Sequence, residues 1–233
     1  MALGAFMDYQ IMGQNMQALK INLGDGERVY ADSGKLLSKS SNVVMTPRMA
    51  GGLIKAIERK VTGATALLTE FNAKGGSGNV SIAGLYPGTV YMVDLKPGES
   101  FAAEDHAFLA AEETVNFSVE TVSLGAAFFG GVGLILQKFI GPGKVFIHIV
   151  GDPVVYDVDE TSQLEIDPGH IAGFDSNVSY SIRFVDNVRT AMFGGVGLFL
   201  ATFTGKGKVI AHSVSRFKLS SEIYLEGKLE NKQ

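Results

Sequence analysis

The chain of 233 residues contains no cysteine, no tryptophan, four histidines and six prolines. Without cysteine there is no disulfide scaffold, zinc ribbon, iron–sulfur cluster or thiol nucleophile. Charged residues make up 19% of the chain against 46% hydrophobic, so there is ample apolar material for a core and disorder is excluded. The 29 glycines follow no G-X-Y period, which excludes a collagen-like rod. A net charge of −4 is no footprint for DNA binding. The opening MALGAFMDYQIMGQ has no basic n-region and no apolar run long enough for a signal peptide, so the expected location is the cytoplasm. Two uncharged stretches, residues 121–137 and 190–205, fall short of the roughly 20 apolar residues that a spanning helix needs. They read as buried strands with glycine turns, and leave peripheral membrane contact as a subsidiary expectation.

What is present is unevenly distributed. Residues 85–160 carry three basic and eleven acidic side chains, and the bland reading of that excess is a solvated face. The sharper reading is a patch that docks a cation or a partner. Self-comparison is more informative still. Residues 129–150, FGGVGLILQKFIGPGKVFIHIV, align without gaps on residues 193–214, FGGVGLFLATFTGKGKVIAHSV, and 14 of the 22 positions are identical. Weaker copies lie upstream: residues 34–45 set against 98–109, 75–84 against 141–151, and the turn LKPG at 95–98 against IDPG at 166–169. Three units are read, at about 27–84, 91–151 and 162–215, within one compact unit spanning 1–233.

Runs such as 144–150 and 179–185 are β-branched or aromatic and end in turn residues, the signature of short strands. Pro87-Gly88, Pro97-Gly98 and Pro168-Gly169 fit turns with a glycine where φ is positive. Strands repeating every 8–12 residues imply a sandwich, jelly roll or strand-rich solenoid. One exception is a short amphipathic helix near 50–60, where Leu53, Ile54 and Ile57 share a face. The fold class is therefore all-β, a double-stranded β-helix or jelly-roll-like sandwich. Gly130, Gly131, Gly133, Gly194, Gly195 and Gly197 precede apolar strands and read as structural corners. As phosphate loops they lack the Lys-Ser/Thr pair and the helix that would face an anion.

The segments NMQALKINLGDGERVYADSGKLL, GGLIKAIERKVTG followed by LLTEFNAKGGSG, and the two GxGLFLxxFxGxGKV-type strands resemble the altered-inheritance-of-mitochondria (mitochondrial biogenesis) family. The resemblance runs from about Gln10 to Leu219. It implies a fold like that of the tryptophan RNA-binding attenuation protein, all-β with internal duplication, commonly assembled as trimers or higher oligomers. It implies no known catalytic activity. The inner-membrane role of the mitochondrial relatives does not carry over, because this chain lacks an Arg-rich, transit-like start.

Site chemistry is sparse. No H-x-H pair occurs, and His148 and His212 are the one pair of histidines at matched positions of the 22-residue copies. They read as hydrogen-bonded core histidines; the rival reading has both converge on a metal in a repeated polar site. No G-x-S-x-G elbow is present, and Glu104-Asp105 and Glu112-Glu113, if on strands, point to opposite faces and form no dyad. A basic strip from Lys35, Lys39, Arg48, Lys55, Arg59 and Lys60 gives RNA binding a weak third place. The expectation is thus a structural or interaction protein, not an enzyme, with no cofactor, assembled as a homo-oligomer, trimer or higher. The alternative is a small-ligand-binding or metal-dependent jelly-roll enzyme with its pocket between repeats.

Overall fold

The computed structural model describes residues 7–48, 68–122, 134–184, 199–216 and 218–223. The first stretch of chain forms β1 (Asp8–Met12), β2 (Ala18–Leu23), β3 (Arg28–Asp32), β4 (Leu36–Lys39), β5 (Val43–Arg48), β6 (Leu68–Ala73) and β7 (Gly78–Ala83). The second forms β8 (Gly88–Leu95), β9 (Ser100–Glu104), β10 (Phe108–Glu112), β11 (Asn116–Val122), β12 (Leu134–Ile140) and β13 (Gly143–Val150). The third forms β14 (Pro153–Val158), β15 (Leu164–Ile166), β16 (Ile171–Asp175), β17 (Val178–Phe184), β18 (Phe199–Gly205) and β19 (Gly207–His212). The protein is all-β, built of antiparallel sheets packed face to face. Residues 218–223 add a short helical segment that the sequence pattern did not signal. The helix expected near 50–60 and the six corner glycines lie outside the described residues.

The sheets run β1-β2-β7-β4, β5-β6-β3-β10-β13-β8, β11-β12-β9-β16-β19-β14 and β15-β18-β17. One scheme of pairing recurs in all three stretches. The first strand pairs with the last (β2–β7, β8–β13, β14–β19), and the last also pairs with the third (β4, β10, β16). The fifth strand lies between the second and the fourth. Consecutive stretches are stitched together by β3–β10 and β9–β16. Each six-stranded sheet therefore takes three strands from one stretch and three from the next.

The residue pattern follows from that sharing. In β2, Leu19, Ile21 and Leu23 are buried and alternate with half-buried Ala18, Lys20 and Asn22, as a strand with one covered face requires. In β13 the last six residues are all buried, because both faces of its sheet are covered. Phe146 packs into a cluster with Leu19, Ile21 and Val80, while Val145, Ile147 and Ile149 pack into another with Phe108 and Phe139. A third cluster joins Leu136, Phe174, Phe203 and Val209. Phe108 stacks on Phe139 with ring centroids 4.8 Å apart, and burying a phenylalanine contributes about 1.5–3 kcal/mol.

Glycine serves two different needs here. Gly98 has φ +84° in the β8–β9 turn, a conformation that costs other residues strain. Gly173 has ordinary backbone angles, but a Cβ there would stand 2.4 Å from Phe101 Cζ, so β16 approaches β9 too closely for a side chain. The three Pro-Gly turns differ for the same kind of reason: Gly88 is already in strand, and Gly169 is in a short 3-10 turn, so only Gly98 shows the positive φ expected of all three.

Candidate functional site

The connections from β3 to β4, β9 to β10 and β15 to β16 share one local device. A carboxylate at the strand end accepts a hydrogen bond from the backbone N–H two residues on: Asp32 from Gly34 at 2.9 Å, Glu104 from His106 at 3.0 Å, Asp167 from Gly169 at 2.9 Å. This Asx-type bond sets the turn. Polar side chains from these turns, from β13 and β19, and from the segment after β19 gather at one junction between the sandwiches.

Lys35 is 5% exposed, and its ammonium donates to the carbonyls of His106 and Phe108, with Asp32 3.6 Å away. Burial lowers its pKa, opposed by the charges of Asp32 and Glu104. Glu104 is buried, and its Oε1 accepts from Arg216 at 2.9 Å and lies 3.1 Å from His106 Nδ1. Burial pushes that carboxyl up, but His106 and Arg216 outweigh burial and hold it below the usual range. His106, bridging Asp105 and Glu104, is pushed up to about 9, chiefly by its hydrogen bond to Asp105. Burial and the neighbouring Glu104 raise Asp105, against the pull of His106.

The two histidines singled out by the sequence meet here. His148 and His212 are 3% and 5% exposed. Burial, with the Lys35 charge behind it, takes His148 down to about 4, and a hydrogen bond to the Tyr86 backbone opposes this. Burial and the neighbouring His148 take His212 down to about 3. Both rings are therefore neutral at pH 7. His212 Nδ1 accepts from the Val150 N–H at 3.1 Å, which assigns its proton to Nε2. His148 Nε2 is buried and has no protein partner among the described residues. His148 is among the residues lining a cavity of about 10 Å3, with Tyr86, Glu104, His106, His212 and Arg216, room for about one water molecule. Gly84 closes the site, because a Cβ there would stand 2.2 Å from His148 Cδ2.

Glu104, Asp105 and His106 bring their donor atoms within 4.8 Å of one another. That set is poorly suited to a cation. His106 Nδ1 lies between two carboxylates, and the Arg216 guanidinium is seated on Glu104. His212 presents N–H rather than a lone pair, so the pair of histidines does not supply two ligands to one metal.

Sequence reasoning placed Lys35 in an exposed basic strip, whereas the structure buries it against the His106 and Phe108 carbonyls, and it missed the roles of Glu104 and Arg216. It set Glu104-Asp105 aside because neighbours on a strand face opposite ways. Glu104 ends β9 and Asp105 begins a turn, so alternation stops between them and both carboxylates reach His106. No local pattern betrays Lys35 or Arg216, whose partners lie 71 and 112 residues away.

The profile of the family described as "Mitochondrial biogenesis AIM24" matches residues 9–214. The chain belongs to the AIM24 family. The uncharacterised protein M6_Spy0233 from Streptococcus pyogenes serotype M6 is 24% identical over 205 residues, covering 84% of this chain and 81% of the relative. The X-ray crystal structure of the S. pyogenes protein SPYM3_0169 superposes with a TM-score of 0.78 at 21% identity, covering 94% of this chain and 99% of that one. The likeness to SPYM3_0169 is a likeness of fold. The AIM24 match takes in the polar junction from the β3–β4 turn to the end of β19, and Arg216 falls just beyond it.

Proposed function

We propose that this AIM24 protein is a structural interaction module of the cytoplasm that works as a homo-oligomer, trimer or higher. The observation that carries the reading is β14. Among the described residues it pairs on one side only, with β19, and presents Val154, Val155 and Tyr156 in succession at 37%, 39% and 38% exposure. An edge strand with an apolar run is a template for pairing, and a second copy covers it in a closed assembly. Size-exclusion chromatography with light scattering tests this. The protein is expected to elute as an oligomer, and Val155→Lys to shift it towards monomer. A strictly monomeric wild type rules the reading out.

One observation favours the alternative of a ligand- or metal-binding enzyme: the unpartnered Nε2 of His148, a residue lining the junction cavity. Metal analysis of the purified protein decides it, one equivalent or more per chain supporting that alternative. Peripheral membrane contact would fall to the uncharged segments 121–137 and 190–205, most of which lie outside the described residues. No helix among the described residues is long and apolar enough to cross a membrane. Co-sedimentation with liposomes tests the contact. RNA binding remains the least favoured reading, and filter binding at low salt tests it.

A further inference from the structure

The strand β8 holds a second open edge, and its chemistry is more specific than that of β14. Among the described residues its one strand partner is β13. On the outer side, Gln17 N–H donates to the Gly88 carbonyl and Gln17 Oε1 accepts from Val90 N–H. Outward groups on an antiparallel edge recur every second residue, so the N–H and C=O of Met92 and Asp94 also point outward. Among the described residues, nothing meets them. Instead they border a cleft of about 420 Å3 between β8 and the sheet carrying β9, β16 and β19.

The molecule already fills the corresponding edge once. The strand β2 occupies in the first stretch the place that β8 occupies in the second, and β1 lies antiparallel along its outer edge from Asp8↔Asn22 to Met12↔Ala18. The cleft beside β8 has room for a few residues of extended chain. Its walls combine Tyr91 and Phe101 with the carboxylates of Asp94, Glu99 and Asp175. Lys208, a cation of the cleft lining, is already engaged by Asp157 at 3.0 Å, and Lys144 on β13 stands directly opposite Asp94 in the register but is not part of the cleft lining. The balance of the walls is negative, in keeping with the acidic excess of residues 85–160.

We infer that β8 is a strand-addition site for an extended, lysine- or arginine-bearing segment of a partner protein. Backbone bonds from Met92 and Asp94 hold the segment. Its basic side chains face Asp94, Glu99 and Asp175, and its alternate side chains face Tyr91. This rests on the interaction reading above but uses a different edge from β14.

The probe is a blocked, fluorescein-labelled pentapeptide alternating lysine and valine, read by polarisation. Controls are the glutamate–valine analogue and a lysine–proline analogue that lacks alternate N–H donors. The lysine–valine peptide is expected to bind at least tenfold more tightly than either control, and to slow hydrogen exchange at the Met92 and Asp94 amides. Met92→Pro removes the outward N–H, which an edge strand tolerates, along with a half-buried side chain that packs against the Leu19–Phe146 cluster. Its fold is checked by circular dichroism, and it is expected to weaken binding at least tenfold. Asp94→Asn with Glu99→Gln is expected to weaken it about tenfold and flatten its salt dependence. No binding, equal binding of the proline control, or unchanged exchange at Met92 overturns the proposal. Light scattering on the wild-type sample separates the two readings: an intact wild-type oligomer that ignores the peptide refutes the β8 site alone, whereas a monomeric wild type refutes the scaffold.

Discussion

Acidification from pH 7 to pH 5 is expected to weaken the fold through His148 and His212. In the unfolded chain both titrate near the ordinary value of about 6.5. In the folded protein burial takes them to about 4 and about 3. A base whose folded pKa is depressed leaves the unfolded state binding more protons, so stability is complete above about pH 6.5 and falls as pH drops towards the folded values. Between pH 7 and pH 5 the loss is about 2 kcal/mol for each ring, about 4 kcal/mol together as an upper bound. Glu104 and Asp167, whose carboxyls are held below the usual range, surrender their contribution only below about pH 4.5, and Asp105, raised by burial, acts against the histidines because its destabilisation is relieved as pH falls. His106 acts in the same direction as Asp105. Its folded value of about 9 gives stability that is full below about pH 6.5 and is lost as pH rises towards 9, lessened by its 47% side-chain exposure. Stability is thus expected to peak near pH 6.5. Urea unfolding followed by circular dichroism at half-unit steps measures it, and a drop of about 4 kcal/mol moves the midpoint by about 1 M. His148→Gln and His212→Gln are each expected to remove about half of the acid slope. A wild type equally stable at pH 7 and pH 5, or a double variant with the full slope, refutes the buried, neutral assignment.

Other perturbations address single contacts. Lys35→Met keeps the stem but leaves the His106 and Phe108 carbonyls without their donor, and is expected to cost about 2–4 kcal/mol in urea unfolding. Gly84→Ala drives a methyl into the His148 ring and is expected to cost about 1–3 kcal/mol, with the His148 imidazole resonances displaced in NMR. Tyr30→Phe deletes the buried hydroxyl that donates to the Val115 carbonyl at 3.0 Å, for an expected loss of about 1 kcal/mol in thermal unfolding.

Much of the strand content was legible because period-2 patterning is local. The run at 144–150 is the body of β13, and the run at 179–185 differs from β17 by one residue. Pairing was less legible. The alignment of residues 34–45 on 98–109 sets β4 against β9, whereas the structure gives β4 the partners of β10: Leu36 and Phe108 each open a strand, and each precedes a bulge against the last strand of its stretch. Glycine identities suggested the wrong match, because a glycine in a turn marks a conformation and not a place in the sheet order. Likewise LKPG joins β8 to β9 while IDPG joins β15 to β16, two turns of similar composition at different points of the scheme. His148 and His212 were legible as a matched, buried pair. Their setting was not, since Lys35, Glu104 and Arg216 converge from three distant turns and segments, and single-chain patterns carry no information on which turns meet.

The stitching of β3 to β10 and of β9 to β16 has a further consequence. A row of separate sandwiches can lose a member and keep the rest, but here every internal boundary runs through the middle of a hydrogen-bonded sheet. Cutting the chain between β13 and β14 would strip three strands from the sheet that holds β9 and bare one whole side of it. Among the described residues neither boundary between stretches offers a seam, and the three stretches are expected to unfold together.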